Sequence, residues 1–259
     1  MSVYLYVDRS SFLHRLDPRP KFLMVIAVIL LAVAGEHPLL PAILQGAALA
    51  GIGVAGAWAS LRRVRTILIA IFGVSLLVWT FLAEGTTPLI GPVELESILF
   101  GLSTGLKLSA TITASVVWLS TTRNEEITTG FIRMGVPYRM AFAFSSALRM
   151  VPTFVGAGTT IVQAQRSRGL DLESGNIFAR MRKYLPLVVP VFAAALRSAN
   201  QLAMALEARG FGAQKQRTFL LQLPWGPVDW VVTAVAIAGM VAGAVIVLTG
   251  SLQLPGLQR

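Results

Sequence analysis

Two arginine–glycine pairs are the residues of this sequence best suited to recognising a partner. One pair ends the stretch AQRSRG (164–169) and the other ends ALEARG (205–210). Arginine presents a planar fork of N–H donors that engages carboxylates and carbonyl oxygens together. Glycine readily takes the left-handed conformation that terminates a helix. Each stretch therefore predicts a helix end that presents an arginine to a partner.

The shared pattern is a small residue, three variable positions and then Arg-Gly. In a single copy, an arginine before a glycine is ordinary capping, in which the cation meets the negative end of the helix dipole for about 0.3–1 kcal/mol. Two matching copies, each closing a long apolar segment, favour a docking role in addition to capping. The candidate docking residues are Ala164, Arg166, Ser167, Arg168, Gly169, Ala205, Glu207, Ala208, Arg209 and Gly210.

A second set of polar residues lies within a strongly apolar stretch. Thr104, Lys107, Thr111 and Ser115 share one helical face. They could line a path for a solute, or they could form an inward face on which the lysine meets a carbonyl, a hydroxyl or a carboxylate. No Asp or Glu lies inside the apolar stretches, so a proton-coupled carrier would lack its usual titrating group.

Catalytic chemistry has no candidate residues in this chain. There is no cysteine, and the two histidines, His14 and His37, fall on opposite sides of a membrane in the topology derived below, so no zinc site can be assembled. The phosphate-binding pattern G-x-x-x-x-G-K-S/T is absent from the sequence. We therefore expect no enzyme activity, metal or cofactor, and any ATP-driven work would need another subunit for hydrolysis.

The composition is that of an integral membrane protein. Of the 259 residues, 55% are hydrophobic and 13% are charged, and the mean hydropathy is +0.70, whereas soluble domains carry about 25% charged residues. The apolar stretches are 22–35, 39–59, 66–83, 98–119 and 231–248. We expect an all-α, polytopic bundle of about five spans. The first span is short, and it could gain length from Pro18 onwards if Lys21 snorkels towards the headgroups.

Small residues at four-residue spacing in these stretches predict close packing between helices. Gly101 and Gly105 form one such pair, Gly239 and Gly243 another, and the stretch 47–59 repeats the spacing. Because lipid removes the hydrophobic drive between helices, positions of this kind let two backbones approach closely.

The distribution of basic residues orients the chain. The first 21 residues are basic and lack the apolar core of a signal peptide, and the loop 61–65 (LRRVR) is also basic. The loops 36–38 and 84–97 contain glutamates but no Lys or Arg. The positive-inside rule then places the N-terminus and the block 120–229 in the cytoplasm. This topology accounts for the net charge of +10, and we expect no nucleic-acid partner.

Two further segments, 140–163 and 185–206, are apolar enough to be spans. If these segments crossed the membrane, Arg149 and Arg197 would lie in the bilayer, and each would cost a few kcal/mol of insertion free energy on insertion scales. We interpret them as long helices on or just under the inner leaflet. The expected domains are a cytoplasmic segment 1–21, four transmembrane helices in 22–119, a cytoplasmic coupling domain 120–229, a last transmembrane helix 230–250 and a tail 251–259.

The cytoplasmic block divides into three helices. Thr122 or Asn124 is expected to cap the first, which Gly135 and Pro137 should end. The second should run from about residue 138 to Arg168, with a kink at residue 152. A turn and a short basic stretch, 178–184, precede the last helix, which is expected from about residue 186 to Arg209.

These motifs together resemble the transmembrane T component of energy-coupling factor (ECF) transporters, the vitamin and metal-ion importers of prokaryotes. SSFLHRLDPRPKF (10–22) is similar to the family pattern S-x-L-H-R-L-D-P-R-x-K. STTRNEEITTGFIRMGVP (120–137) is similar to T-T-x-P-E-E-L-x-x-x-L-x-x-L-G-V-P, although Arg123-Asn124 departs from the usual small residue and proline. The two Ala-x-x-x-Arg-Gly stretches look like the paired signatures of the family.

The resemblance implies a multi-pass subunit of the prokaryotic cell membrane that couples two cytoplasmic ABC-type ATPases, the A components, to a separate substrate-binding S component. Arg168 and Arg209 occupy the motif positions that dock on the ATPases. Arg166 stands where the second stretch has Glu207, so the two tips differ in charge. The alternative is a stand-alone carrier or channel that moves its own solute along the stripe around Lys107.

Overall fold

The computed structural model describes residues 9, 11–83, 87–90, 93–171, 174, 176–213 and 225–249. The helices in these ranges are α1 (Phe12–Arg15), α2 (Pro18–Ala34), α3 (Leu39–Ala55), α4 (Trp58–Leu82), α5 (Leu95–Thr121), α6 (Asn124–Arg133), α7 (Tyr138–Ser167), α8 (Ile177–Ala208) and α9 (Pro227–Thr249). The all-α prediction is confirmed, with one small addition. The predicted loop 84–97 contains a short antiparallel hairpin of β1 (Pro88–Ile90) and β2 (Val93–Glu94).

The chain divides into two compact units. The first comprises Met1–Val136 and Leu223–Arg259, and therefore holds α1 to α6 and α9; the second, Pro137–Gln222, holds α7 and α8. The predicted coupling domain 120–229 begins earlier than this second unit, because α6 packs against α2 in the first unit. Which segments lie in the cytoplasm stays a prediction.

Helix α5 is the centre of the first unit and packs against α2, α3 and α4, while α9 packs against α2. The close contacts predicted at the two glycine pairs are confirmed, whereas the four-residue spacing over 47–59 is interrupted because α3 ends at Ala55. A Cβ on Gly105 would lie 2.8 Å from Cδ2 of Phe72 in α4, and a Cβ on Gly239 would lie 3.3 Å from Cδ1 of Leu31 in α2. At these glycines the neighbouring helix lies so close that a larger side chain would not fit without a shift.

The start of α4 differs from the expectation. Residues 61–65, predicted as a loop, belong to α4, which begins at Trp58. The apolar stretch 39–59 is divided instead at Gly56, which has a φ of +65° and donates its N–H to the carbonyl of Gly53. The cause is local: a left-handed glycine ends α3, and arginine is a good helix former, so the basic residues extend α4 rather than interrupting it.

Helix α8 also begins earlier than predicted. The basic stretch 178–184 and the segment after Pro186 form one continuous helix of 32 residues, with Pro186 and Pro190 in its interior. A proline removes one backbone donor from a helix without necessarily ending it.

Helix α6, the first helix of the predicted cytoplasmic block, differs from the prediction at its N-terminus, since its N-cap is Arg123 rather than Thr122 or Asn124. The backbone N–H of Arg123 donates to Oε2 of Glu126 at 3.2 Å.

By length and composition, five helices among the described residues could cross a membrane: α4, α5, α7, the part of α8 from Arg180 onwards, and α9. The predicted spans 66–83, 98–119 and 231–248 are confirmed as such helices. The first two predicted spans correspond to α2 and α3, which have 17 residues each, or about 25 Å at 1.5 Å per residue. The placement of α7 and α8 at the inner leaflet stays a prediction.

Candidate functional site

The first Arg-Gly stretch forms the C-terminal end of α7. Gly169 has a φ of +88°. Its N–H donates to the carbonyl of Arg166 at 3.0 Å, and the N–H of Leu170 donates to the carbonyl of Gln165 at 3.0 Å. This pair of reversed bonds is a Schellman motif, which satisfies the last carbonyls of a helix and turns the chain away sharply. Arg168 is the last residue before that turn.

The second stretch ends α8 with the same geometry. Gly210 has a φ of +71°. Its N–H donates to the carbonyl of Glu207 at 2.9 Å, and the N–H of Phe211 donates to the carbonyl of Leu206 at 2.9 Å. Arg209 therefore occupies the position that Arg168 holds at the end of α7. The structure confirms the expected left-handed glycine at both helix ends.

All ten candidate docking residues are exposed. Ala164 lies four residues before Arg168, and Ala205 lies four residues before Arg209, so each alanine sits one turn back on the same helix face as its arginine. A small side chain at this position leaves room for a partner to approach the guanidinium closely. We call Ala164–Gly169 the first tip and Ala205–Gly210 the second tip.

The two tips lie at opposite ends of an antiparallel pair of helices. Phe211, directly after the second tip, packs against Tyr138 and Phe142 at the start of α7, with ring centroids 5.8 and 4.7 Å apart. At the other end, Nε2 of Gln165 in the first tip donates to the carbonyl of Pro186 in α8 at 3.4 Å. That carbonyl has no intrahelical donor, because the residue four positions later is a proline.

The predicted stripe on α5 lies elsewhere, in the first unit. Thr104, Lys107, Thr111 and Ser115 are half-buried. Nζ of Lys107 lies 6.0 Å from the ring centroid of Phe100, and the hydroxyl of Ser115 donates back to the carbonyl of Thr111 at 2.9 Å. The structure thus places the stripe on one face of α5, within the first unit. A role for it in moving a solute stays a prediction.

A buried polar cluster at the start of α2 was missed by the sequence reasoning. Asp17 is the N-cap of α2, and its Oδ1 accepts from the N–H of Arg19 at 3.1 Å. The N–H of Asp17 itself donates to Oδ1 of Asp229 at 3.0 Å, and Oδ2 of Asp229 accepts from Gly226 at 2.8 Å. Both carboxylates are buried. An aspartate directly before a proline at a helix start is a local signal that could have identified this cap.

Lys21 completes this cluster, and its predicted snorkelling is wrong. The residue is 6% exposed, and its Nζ donates to the carbonyl of Thr121 at 3.0 Å. Thr121 is the last residue of α5, so this carbonyl lacks an intrahelical donor. The lysine therefore finds a partner at the negative end of a neighbouring helix instead of in the headgroup region.

The motif 10–22 thus holds the first unit together. Besides the two buried carboxylates and Lys21, the guanidinium of Arg19 lies 5.2 Å from the ring centroid of Trp225. The ring of Phe22 packs 5.4 Å from that of Trp118 in α5 and 6.3 Å from that of Phe131 in α6. These contacts join α2 to α5, α6 and the start of α9, so the motif acts by packing and not by catalysis.

The described residues contain no cluster of three or more His, Cys, Asp or Glu side chains that could hold a metal ion. The chemistry available at the tips is therefore that of arginine: charge-assisted hydrogen bonds from an exposed helix end to carboxylates or carbonyls of another protein.

Comparison with known proteins identifies the family. The family model named CbiQ, described as cobalt transport protein, matches residues 9–220. The chain belongs to the CbiQ family. The matched range covers both tips, the stretch 120–137 and the whole N-terminal motif 10–22, which are the features on which the resemblance was based.

Curated relatives extend over nearly the whole chain. The energy-coupling factor transporter transmembrane protein EcfT of Acidaminococcus fermentans is 31% identical and covers 96% of this chain and 95% of its own length. The proteins of the same name from Heliobacterium modesticaldum and Thermosediminibacter oceani are each 34% identical, covering 91% and 84% of this chain. Their own lengths are covered to 92% and 87%.

The chain is therefore the transmembrane T component of an ECF transporter, a multi-pass protein of the prokaryotic cell membrane. It is a transport subunit and not an enzyme, since the ATPase activity of such transporters belongs to partner subunits.

Proposed function

We propose that the two tips dock on two cytoplasmic ABC-type ATPases and that the chain couples them to a separate substrate-binding membrane subunit. The observation that carries this proposal is the pair of matching Schellman ends, which expose Arg168 and Arg209 at opposite ends of the α7–α8 pair. Contact points near Tyr138 and Gln165 are separated by about 40 Å along α7 at 1.5 Å per residue. Such a spacing suits two separate protomers better than a single groove.

The apolar surface of the same helices fits the membrane partner. Large apolar side chains are exposed along both: Met140 and Val155 in α7 are 65% and 51% exposed, and Phe178, Val189 and Phe192 in α8 are 82%, 67% and 64% exposed. A surface of this kind needs a cover of lipid or protein. We assign it to the substrate-binding subunit and to lipid, which leaves the polar tips for the ATPases.

The contacts within the helix pair support a mechanical role. The ring of Phe211 is held between the second tip and the start of α7, and Gln165 of the first tip bonds to the backbone of α8. Because of these contacts, a displacement of either tip is transmitted to both helices. Closure of the ATPases would in this way reach the apolar surfaces that hold the membrane partner.

The transported substrate is a vitamin or a metal ion in this proposal. The family description names cobalt transport, whereas the relatives are named only as ECF transporter proteins. Since the chain is the coupling subunit, we propose that the separate substrate-binding subunit selects the solute.

The test reverses the charge of the docking arginine at each tip. In Arg168→Glu and Arg209→Glu, the exposed tip loses its charge-assisted contacts and presents a carboxylate to the ATPase groove. Loss of one such contact costs about 2–5 kcal/mol, or a factor of roughly 30 to several thousand in binding. Each single variant should retain less ATPase on co-purification, and the double variant should retain none while keeping the substrate-binding subunit. Substrate uptake should fall in the same order.

Two other exposed arginines supply matched controls. Arg149 and Arg197 lie in the middle of α7 and α8. The variants Arg149→Glu and Arg197→Glu reverse the same charge on the same helices away from their ends, and both should keep their ATPases. A double tip variant that retains its ATPases and transports at the normal rate would show that the two arginines only cap their helices.

A further inference from the structure

The two tips share one backbone geometry but carry opposite charges at one equivalent position. Arg166 and Glu207 are each the residue whose carbonyl accepts the N–H of the left-handed glycine, at 3.0 and 2.9 Å. Both side chains are exposed. Because the same two Schellman bonds end both helices, the main difference between the tips lies in their side chains and above all in this reversal of charge.

The position lies within the last turn of each helix, together with the docking arginine. Arg166 lies two residues before Arg168, and Glu207 lies two residues before Arg209, which corresponds to about 3 Å along the helix axis and about 200° around it, so the two side chains leave the helix end on opposite sides. A groove that encloses a helix end meets the side chains of the whole last turn. The first tip therefore offers such a groove two cations, whereas the second offers one cation and one carboxylate.

We infer that Arg166 and Glu207 determine which ATPase each tip binds, an inference that rests on the function proposed above. The first tip fits a groove whose rim carries carboxylates at this position, and the second fits a groove whose rim carries Lys or Arg there. Exchanging the partners would place like charges against each other, and such repulsion is how protein interfaces reject wrong partners. Such a selection requires that the ATPase pair be composed of two different chains.

The experiment uses the whole complex with its co-expressed ATPases. A photo-crosslinking amino acid is placed at Gln163 or at Met204, which are exposed equivalent positions directly before the two tips. Each position should crosslink one ATPase chain at least about ten times more than the other, the ratio produced by about 1.4 kcal/mol. The exchange variant Arg166→Glu with Glu207→Arg should abolish or reverse this preference.

Two controls separate the effect of charge from that of side-chain shape. The variant Arg166→Lys with Glu207→Asp keeps both charges and should keep the preference. Raising the salt from about 0.1 M to about 1 M shortens the screening length from about 10 Å to about 3 Å, so the preference should weaken if charge causes it.

Three results would overturn the inference: equal crosslinking of both ATPase chains, a preference that the exchange variant leaves unchanged, or a complex that contains one kind of ATPase chain. A different result contradicts the proposed function itself, namely that neither position crosslinks any ATPase in a complex that transports its substrate. The two failures are therefore distinguishable.

Discussion

Buried charges in the first unit are placed where the backbone of a helix end supplies their partners. Lys21 donates to the last residue of α5, and Asp17 accepts from the first turn of α2. Buried charges are costly unless they are paired and hydrogen-bonded. The helix ends meet this need with polar groups that have no intrahelical partner.

Replacing the buried lysine should destabilise the protein. In Lys21→Met the stem is largely preserved, but the carbonyl of Thr121 loses its donor, and the nearby carboxylates of Asp17, Glu126 and Asp229 lose a cation. We expect a loss of about 1–3 kcal/mol, measured as a lower midpoint of thermal unfolding in detergent. Arg62→Met, at an exposed position, should change stability by less than about 0.5 kcal/mol. Equal midpoints for the two variants would contradict this account.

At the scale of elements, the glycines after α7 and α8 decide where each helix stops and which way its last arginine points. Both have positive φ, and a Cβ added to Gly169 would meet nothing within 4 Å. The requirement for glycine at this site is therefore conformational and not steric. A left-handed conformation costs an ordinary residue about 1–2 kcal/mol.

The variant Gly169→Ala tests this requirement. The strained C-cap should weaken the Schellman bonds and let the end of α7 change direction, so binding to the ATPases should fall while the protein still inserts. Gly158→Ala in the same helix is the matched control, since its Cβ also meets nothing within 4 Å but its φ is not positive. That control should be neutral or stabilising by up to about 1 kcal/mol. Co-purification of the ATPases and thermal unfolding measure both effects, and equal binding by the two variants would contradict the role of the sharp helix end.

For the whole molecule, docking of the first tip on a cytoplasmic ATPase requires the turn between α7 and α8 to lie on the cytoplasmic side of the membrane. Both helices are long and apolar enough to cross the membrane. If they crossed it, however, Arg149 and Arg197 would lie within the bilayer and the first tip would lie on the outer side. The basic residues around the turn favour the cytoplasm by the positive-inside rule.

Cysteine labelling tests this topology, because the chain contains no cysteine of its own. Ser174→Cys, in the turn, should react with a membrane-impermeant maleimide in inverted vesicles and stay unlabelled in intact spheroplasts. His37→Cys, in the loop between α2 and α3, should show the opposite pattern. Labelling of Ser174→Cys from outside would contradict the cytoplasmic placement and the docking proposal together.

Much of the candidate site could be predicted from the sequence, because its geometry is local. A Schellman motif spans six residues, so an Arg-Gly pair after an apolar helical segment is enough to predict the sharp end at Arg168 and at Arg209. The apolar composition predicted the membrane class for a similar reason, since every residue contributes to it independently. The glycine pairs at 101 and 105 and at 239 and 243 likewise predicted close packing, although not which helix each would meet.

The tertiary structure decided what depends on residues far apart in the chain. Lys21 meets Thr121, and Asp17 meets Asp229; no spacing rule predicts such pairs, so the lysine was assigned to the headgroups. Likewise, Gln165 binds the carbonyl that Pro190 leaves unpaired in α8. Only the folded pair of helices shows that the tips point to opposite ends, because antiparallel packing is set by contacts along the full length of both helices and not by either sequence segment alone.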